Sequence, residues 1–86
     1  MTGEPDATGG TVTDGLVTRR GIVVDGVEAG CVLLDAEDGQ DYLLVGGDPA
    51  VLVAGGRVEV SGLPQPDLMT ICQQGIPFSV RSARRI

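Results

Sequence analysis

Two cysteines, Cys31 and Cys72, carry the most reactive side chains in this 86-residue sequence. They do not form a C-x-x-C motif, so a thioredoxin-type redox role lacks its usual pattern. Three interpretations stay open: a structural disulfide, a redox pair, or two buried thiols. Exactly two cysteines in a small domain favour one stabilising disulfide, whereas the lack of a signal peptide favours reduced thiols. We expect the disulfide.

The residue types that usually perform catalysis are scarce. The sequence has no histidine, which removes the usual general base at neutral pH and the commonest metal ligand. A cysteine nucleophile would therefore lack its customary base. We expect a protein that is not an enzyme and that has no cofactor.

An acidic turn at residues 35–41, with the sequence DAEDGQD, has the composition of a calcium loop. Asp35 and Glu37 match the first and third positions of an EF-hand loop. Gly39 falls at the fifth position, however, and no acid stands at the twelfth. We expect a solvated hairpin tip and no metal site.

The arginines are the second group that could bind a ligand. Arg19 and Arg20 lie on the first expected strand, Arg57 opens the fourth, and Arg81 lies on the fifth. In an OB barrel the first strand lies near the fourth and fifth, so these side chains could form one basic face. Ion pairs with acids such as Glu28 and Glu59 would explain the same residues. The candidate ligand-binding residues are Arg19, Arg20, Arg57, Arg81, Tyr42, Gln73 and Gln74.

Single-stranded nucleic acid also needs aromatic side chains on which bases stack. Only Tyr42 and Phe78 are aromatic, and we expect Phe78 in the core. The net charge of −6 repels phosphate backbones and anionic membranes. Nucleic-acid binding is therefore the alternative function, disfavoured by charge.

The elements that position these residues are short strands. Two nearly continuous apolar runs, residues 32–34 and 42–45, flank the acidic turn and predict a β-hairpin with both faces covered. Residues 16–24 predict the first strand, and Gly21 in its middle predicts a sharp bend such as a small barrel needs. Residues 57–61 alternate, which places Val58 and Val60 inward.

The remaining segments complete the expected topology. Asp48 as N-cap, Pro49 at the first helical position and Gly55 as the stop predict a short helix between the third and fourth strands. Pro64 and Pro66 are expected to end the fourth strand. A long loop and a fifth strand at residues 77–82 follow, and residues 83–86 are expected to fray.

This order predicts an all-β fold, a small five-stranded OB-fold-like barrel with a short helix between strands three and four. The alternative is an SH3-like barrel. Residues 1–13 are polar and lack periodicity, so we expect a flexible N-terminal tail before a single β-barrel domain at residues 14–86.

The sequence resembles a family of small actinobacterial OB-fold-like domains over about residues 16–82. Four pieces carry the resemblance: GVEAGCVLL (26–34), YLLVGGDPAVL (42–52), RVEVSG (57–62) and TICQQGIPFSV (70–80). It implies the fold and a paired-cysteine pattern, and it implies no activity.

We therefore expect a non-catalytic binding module whose ligand is an unknown protein or small molecule. No apolar run is long enough to span a bilayer, so no membrane partner is expected. The sequence as it stands predicts a cytoplasmic location, with export as the alternative if a leader has been removed.

Overall fold

The structure, a computed structural model, describes residues 16–86. This part of the chain contains five strands. The predicted tail at residues 1–13 lies outside this part. Among residues 16–86 no helix is long and apolar enough to cross a membrane. The strands are β1 (Val17–Asp25), β2 (Val32–Ala36), β3 (Asp41–Val45), β4 (Arg57–Pro64) and β5 (Ile76–Arg85).

The strands close into a barrel in the order β1-β2-β3-β5-β4, with β4 pairing back onto β1. The β3–β5 pair is parallel, and the other four pairs are antiparallel. The predicted all-β class is confirmed. The five-stranded closed barrel is consistent with the predicted OB-fold-like architecture.

Gly21 lets β1 serve both sides of the barrel. The first half of β1 pairs with β4 and the second half with β2, and Gly21 has partners on both, Val58 and Ala36. A Cβ at this position would lie 2.1 Å from the carbonyl oxygen of Asp35. No side chain fits there, so the predicted role of Gly21 at the closure is confirmed.

Strands β4 and β5 are longer than the sequence predicted. β4 continues through a bulge between Ser61 and Gly62 and reaches Pro64, which pairs with Phe78. β5 extends to Arg85, which pairs with Val58, so residues 83–85 do not fray. The physical reason is barrel closure, because the first half of β4 needs a partner on each edge. A proline is tolerated at the end of a strand, where its missing donor costs little.

The predicted short helix is wrong for the described residues, among which no helix occurs. Asp48 does cap the segment, since its carboxylate accepts from the Ala50 backbone N–H at 2.9 Å. Its carbonyl also accepts from Val51 and Leu52, which makes a single turn. The next donor, Val53 N–H, reaches back only to Val51, so the turn does not propagate. Seven residues between glycines are too few to offset helix nucleation.

Aliphatic side chains and the two aromatic rings fill the barrel. Val58 and Val60 are fully buried, which confirms the predicted register of β4. Phe78 is also fully buried and meets the Tyr42 ring edge to face, with the ring centroids 5.5 Å apart. The interior cluster is Val23, Leu34, Ala36, Tyr42, Leu44, Val58, Val60 and Phe78.

A second apolar cluster lies on the outside of the β2–β3 hairpin. Leu33 and Leu43 face each other across the two strands and are almost fully buried there, together with Cys31. Cys72, from the connection between β4 and β5, packs against them. Because the β4–β5 connection covers the outer face of the hairpin, the hairpin sequence is apolar on both faces.

Candidate functional site

A disulfide fastens the connection between β4 and β5 to the barrel wall. We call residues 65–75 the anchored loop. Cys31 and Cys72 are bonded, with their Cα atoms 6.0 Å apart. The predicted disulfide is present, and it joins the start of β2 to the loop that crosses the outer face of the hairpin.

Two hydrogen bonds reinforce the disulfide. The Val27 backbone N–H donates to the side-chain carbonyl of Gln74 at 2.6 Å. The Gln73 backbone N–H donates to the Glu28 carboxylate at 2.7 Å. Gln74, predicted as a ligand-binding residue, thus holds the loop to the β1–β2 turn. The Gln73 side chain is exposed at the same place.

Hydrogen bonds within the anchored loop fix its shape. The Thr70 hydroxyl donates to the Cys72 carbonyl at 2.7 Å and accepts from the Cys72 N–H at 3.1 Å. The Gln65 N–H donates to the Pro77 carbonyl at 2.7 Å, and the Leu68 N–H donates to the Gln65 carbonyl at 2.9 Å. The loop is therefore braced at both ends and next to the disulfide.

The anchored loop presents large apolar side chains to solvent. Met69 is 93% exposed and Ile71 is 86% exposed, while Val27 on the adjoining turn is 87% exposed. Leu68 is also exposed. We call these four residues the apolar tip. Three of these residues lie within positions 68–71, and Val27 lies on the turn that Gln74 contacts. Single exposed apolar residues are ordinary on a protein surface, whereas larger exposed apolar patches are typical of interaction sites.

Two grooves lie on either side of this loop and share Thr70 and Cys72 in their walls. One has a volume of about 320 Å³ and includes Leu68 and Met69. The other, about 260 Å³, lies between Ile71 and the β2–β3 hairpin. Both grooves are bordered by apolar side chains of the loop itself.

Five carboxylates lie on the anchored loop, on the β1–β2 turn that it contacts, on the hairpin that it crosses and at the end of β1. We call them the acidic rim: Asp25, Glu28, Asp35, Asp41 and Asp67. Asp35 and Asp41 stand directly opposite each other on the hairpin that the loop crosses. None of the five forms an ion pair with another described residue.

The arginines lie on β1, β4 and β5, and most of them are paired. Glu59 on β4 accepts from Arg20 at 2.9 Å and from Arg84 at 2.8 Å. Arg57 pairs with Glu37 of the hairpin turn. Arg19 instead contacts Tyr42 and Asp38, so these three arginines each face a carboxylate rather than forming an uninterrupted basic face.

The remaining arginines differ in their contacts. Arg85 donates to the Ala50 carbonyl at 2.9 Å, which fastens the β3–β4 connection. Arg81 is exposed on β5 and makes no side-chain hydrogen bond or ion pair with another residue of the range 16–86.

Tyr42 belongs to the barrel core, and only its hydroxyl reaches the surface. The residue is 5% exposed, so its ring offers no open face for a stacking base. The hydroxyl donates to Asp38 at 2.7 Å and accepts from Arg19 at 2.9 Å. The bond from Tyr42 is the main reason that the pKa of Asp38 lies below its usual range. Beside this triad lies a charged depression of about 570 Å³.

Stability should fall in acid because of Glu59. Hydrogen bonds from Arg84 and then Arg20 lower the pKa of Glu59 in the folded protein. The native state therefore binds fewer protons than the unfolded chain, and this contribution is complete above the ordinary glutamate pKa of about 4.3 and lost as the pH falls through the lowered value. We expect Glu59→Gln to be less stable than wild type at pH 7 and equal to it near pH 2, measured by urea unfolding. A constant difference at all pH values would contradict this assignment.

The apolar tip was not predicted from the sequence. Met69 and Ile71 stand in a loop bounded by prolines, and the only sequence signal was their apolar character in a segment without strand periodicity. Cys72 directly follows Ile71 and bonds this segment to the start of β2.

Comparison with known proteins adds no relative: neither a scan against family models nor searches of curated proteins and of solved structures gave a match. Within residues 16–86, no three Asp, Glu or Cys side chains are grouped so that they could hold a metal ion.

Proposed function

We propose that this protein is a non-catalytic binding module that holds a protein partner on the anchored loop. One observation carries the proposal: Met69 and Ile71 are almost fully exposed on a loop that a disulfide holds in place. Exposing them to water is unfavourable, whereas a partner that covers them gains about 25 cal/mol per Å² of apolar area. A loop that is already ordered loses little conformational entropy on binding.

The grooves favour a protein over a small molecule. Volumes of about 260 and 320 Å³ lie at or below the lower end of small-molecule sites, which enclose most of their ligand. An open groove of this size fits one or two apolar side chains of a partner. Hot spots of protein interfaces consist of such anchors in small pockets.

Single-stranded nucleic acid has weaker support. Four arginines form ion pairs with carboxylates, so phosphates would have to displace these partners. Both aromatic rings are buried. The arginine side is better explained as ion pairing that joins β1, β4, β5 and the hairpin turn.

The disulfide also supports the exported alternative for location. Disulfides persist in oxidising compartments and are rare in the cytosol, where thiols are kept reduced. A loop whose position depends on Cys31–Cys72 would keep its shape outside the cytosol.

A random 12-residue peptide library displayed on phage tests the proposal. Peptides selected on the wild-type protein should bind the Met69→Ser/Ile71→Ser double variant at least about tenfold more weakly, because removing interface anchors costs more than 1 kcal/mol each. Val53→Ser is the control, since Val53 is 51% exposed in the β3–β4 connection. Its affinities should stay within about twofold of wild type. If no enriched peptide binds the Met69→Ser/Ile71→Ser variant more weakly than it binds Val53→Ser, the proposal is refuted.

A further inference from the structure

We infer that the partner segment is cationic: an apolar sequence flanked by lysine or arginine that sits on the apolar tip within the acidic rim. This inference rests on the proposed function of the anchored loop. It goes beyond that function because it names the chemistry of the partner.

Charge is segregated on this molecule. In the described residues, the acids that form ion pairs are Glu37, Asp38 and Glu59, and all three contact arginines of β1, β4 or β5. The five carboxylates of the acidic rim have no such partner among residues 16–86. The anchored loop and the β1–β2 turn contain no arginine and no lysine. Asp48 of the β3–β4 connection also lacks an ion pair within residues 16–86. The segments that carry the apolar tip contain acidic charges only, Glu28 and Asp67.

The rim includes an arrangement that costs stability. Asp35 and Asp41 are directly opposite each other on β2 and β3, and like charges in that position repel. Both are exposed beside the outer cluster of Leu33 and Leu43. A lysine or arginine placed between two such carboxylates interacts favourably with both, so a cationic partner relieves the repulsion.

Asp67, Asp25 and Glu28 lie on or next to the segments that carry the apolar tip. Asp67 belongs to the anchored loop itself, two residues before Met69. Asp25 ends β1 opposite Val32, which lines the smaller groove. Glu28 accepts from the Gln73 N–H and remains partly exposed. A partner that covers the tip must pass near at least one of these charges.

Two other occupants fit less well. An anionic lipid surface would be repelled by the rim and by the net charge of −6. A second copy of the chain would bring two acidic rims together across one symmetric interface, which like-charge juxtaposition disfavours. A basic peptide avoids both penalties.

The loop-dependent peptides from the display selection supply the probe. Their sequences should contain lysine and arginine well above the library average, next to apolar residues. Affinities measured by fluorescence anisotropy should fall about threefold for Asp67→Asn and for Asp41→Asn, and about tenfold for the double variant, because each exposed rim charge contributes a modest, solvent-screened attraction and the two losses add. Raising the NaCl concentration from 50 to 500 mM should reduce wild-type affinity and affect the double variant less.

Glu37→Gln is the matched control, because it removes one negative charge from the arginine side and should leave affinity within about twofold. The inference of a cationic partner would be overturned if the loop-dependent peptides were not enriched in lysine or arginine. It would also be overturned if they bound Asp67→Asn, Asp41→Asn and Glu37→Gln with equal affinity. Either result would leave the proposed function standing. A selection that yields no loop-dependent peptide would overturn both. Anionic vesicles containing phosphatidylserine should not bind the wild-type protein, and binding to them would favour a lipid surface instead.

Discussion

Val58→Asp is expected to leave the protein unfolded at neutral pH. Val58 is fully buried in the barrel, between the partners of β4 on β1 and β5. An aspartate there places an ionised carboxylate in an apolar interior without a partner, which costs several kcal/mol. The whole stability of so small a domain is about 5 kcal/mol. The far-ultraviolet circular dichroism spectrum should lack strand signal, and no cooperative thermal transition should remain.

Glu59→Val is the control for this prediction, since Glu59 is the next residue on β4 and faces outward. The variant loses the contacts with Arg20 and Arg84 but places no charge in the core. It should fold and unfold cooperatively, with a lower midpoint than wild type. A folded Val58→Asp variant would show that the barrel interior admits water at β4.

Reducing the Cys31–Cys72 bond is expected to lower stability by about 4 kcal/mol. The bond joins residues 41 positions apart, and the chain-entropy model assigns this value to a loop of that length. For a domain of this size the thermal midpoint should fall by roughly 15–30 °C. Scanning calorimetry with and without a phosphine reductant measures the difference.

The Cys31→Ser/Cys72→Ser double variant should show the lowered midpoint in both conditions, with no response to the reductant. Its outer cluster should also become accessible, because Leu33 and Leu43 are covered by the loop that the bond retains. Hydrogen exchange at β2 and β3 reports this exposure. Equal midpoints for oxidised and reduced wild-type protein would mean that the remaining contacts alone hold the anchored loop.

Local pattern was sufficient to predict much of the barrel. Gly21 within an apolar strand indicated a bend, and the close approach of the Asp35 carbonyl shows why only glycine fits there. Alternation at Val58 and Val60 set the inward face of β4. The bend and the inward face were both indicated by residues close together in the sequence, so they could be predicted without knowing the tertiary contacts.

Features that depend on distant partners were predicted less well. The apolar hairpin indicated that both faces of β2 and β3 are covered, but only the structure shows that the anchored loop covers the outer one. The position of the Tyr42 hydroxyl follows from strand register, which brings Arg19 and Asp38 to it. The prediction of a helix after Asp48 was wrong because the capping signals were present but too few residues followed them to propagate a helix.

The Cys31–Cys72 bond also determines how the protein responds to mechanical tension. A force applied to the two chain ends can peel away β1 and β5, but β2, β3 and β4 lie within the covalently closed segment. The 41 residues of that segment hold back roughly 140 Å of extension that a reduced chain would release. Met69 and Ile71 belong to the same segment, so they remain linked to the start of β2 when the barrel is pulled open.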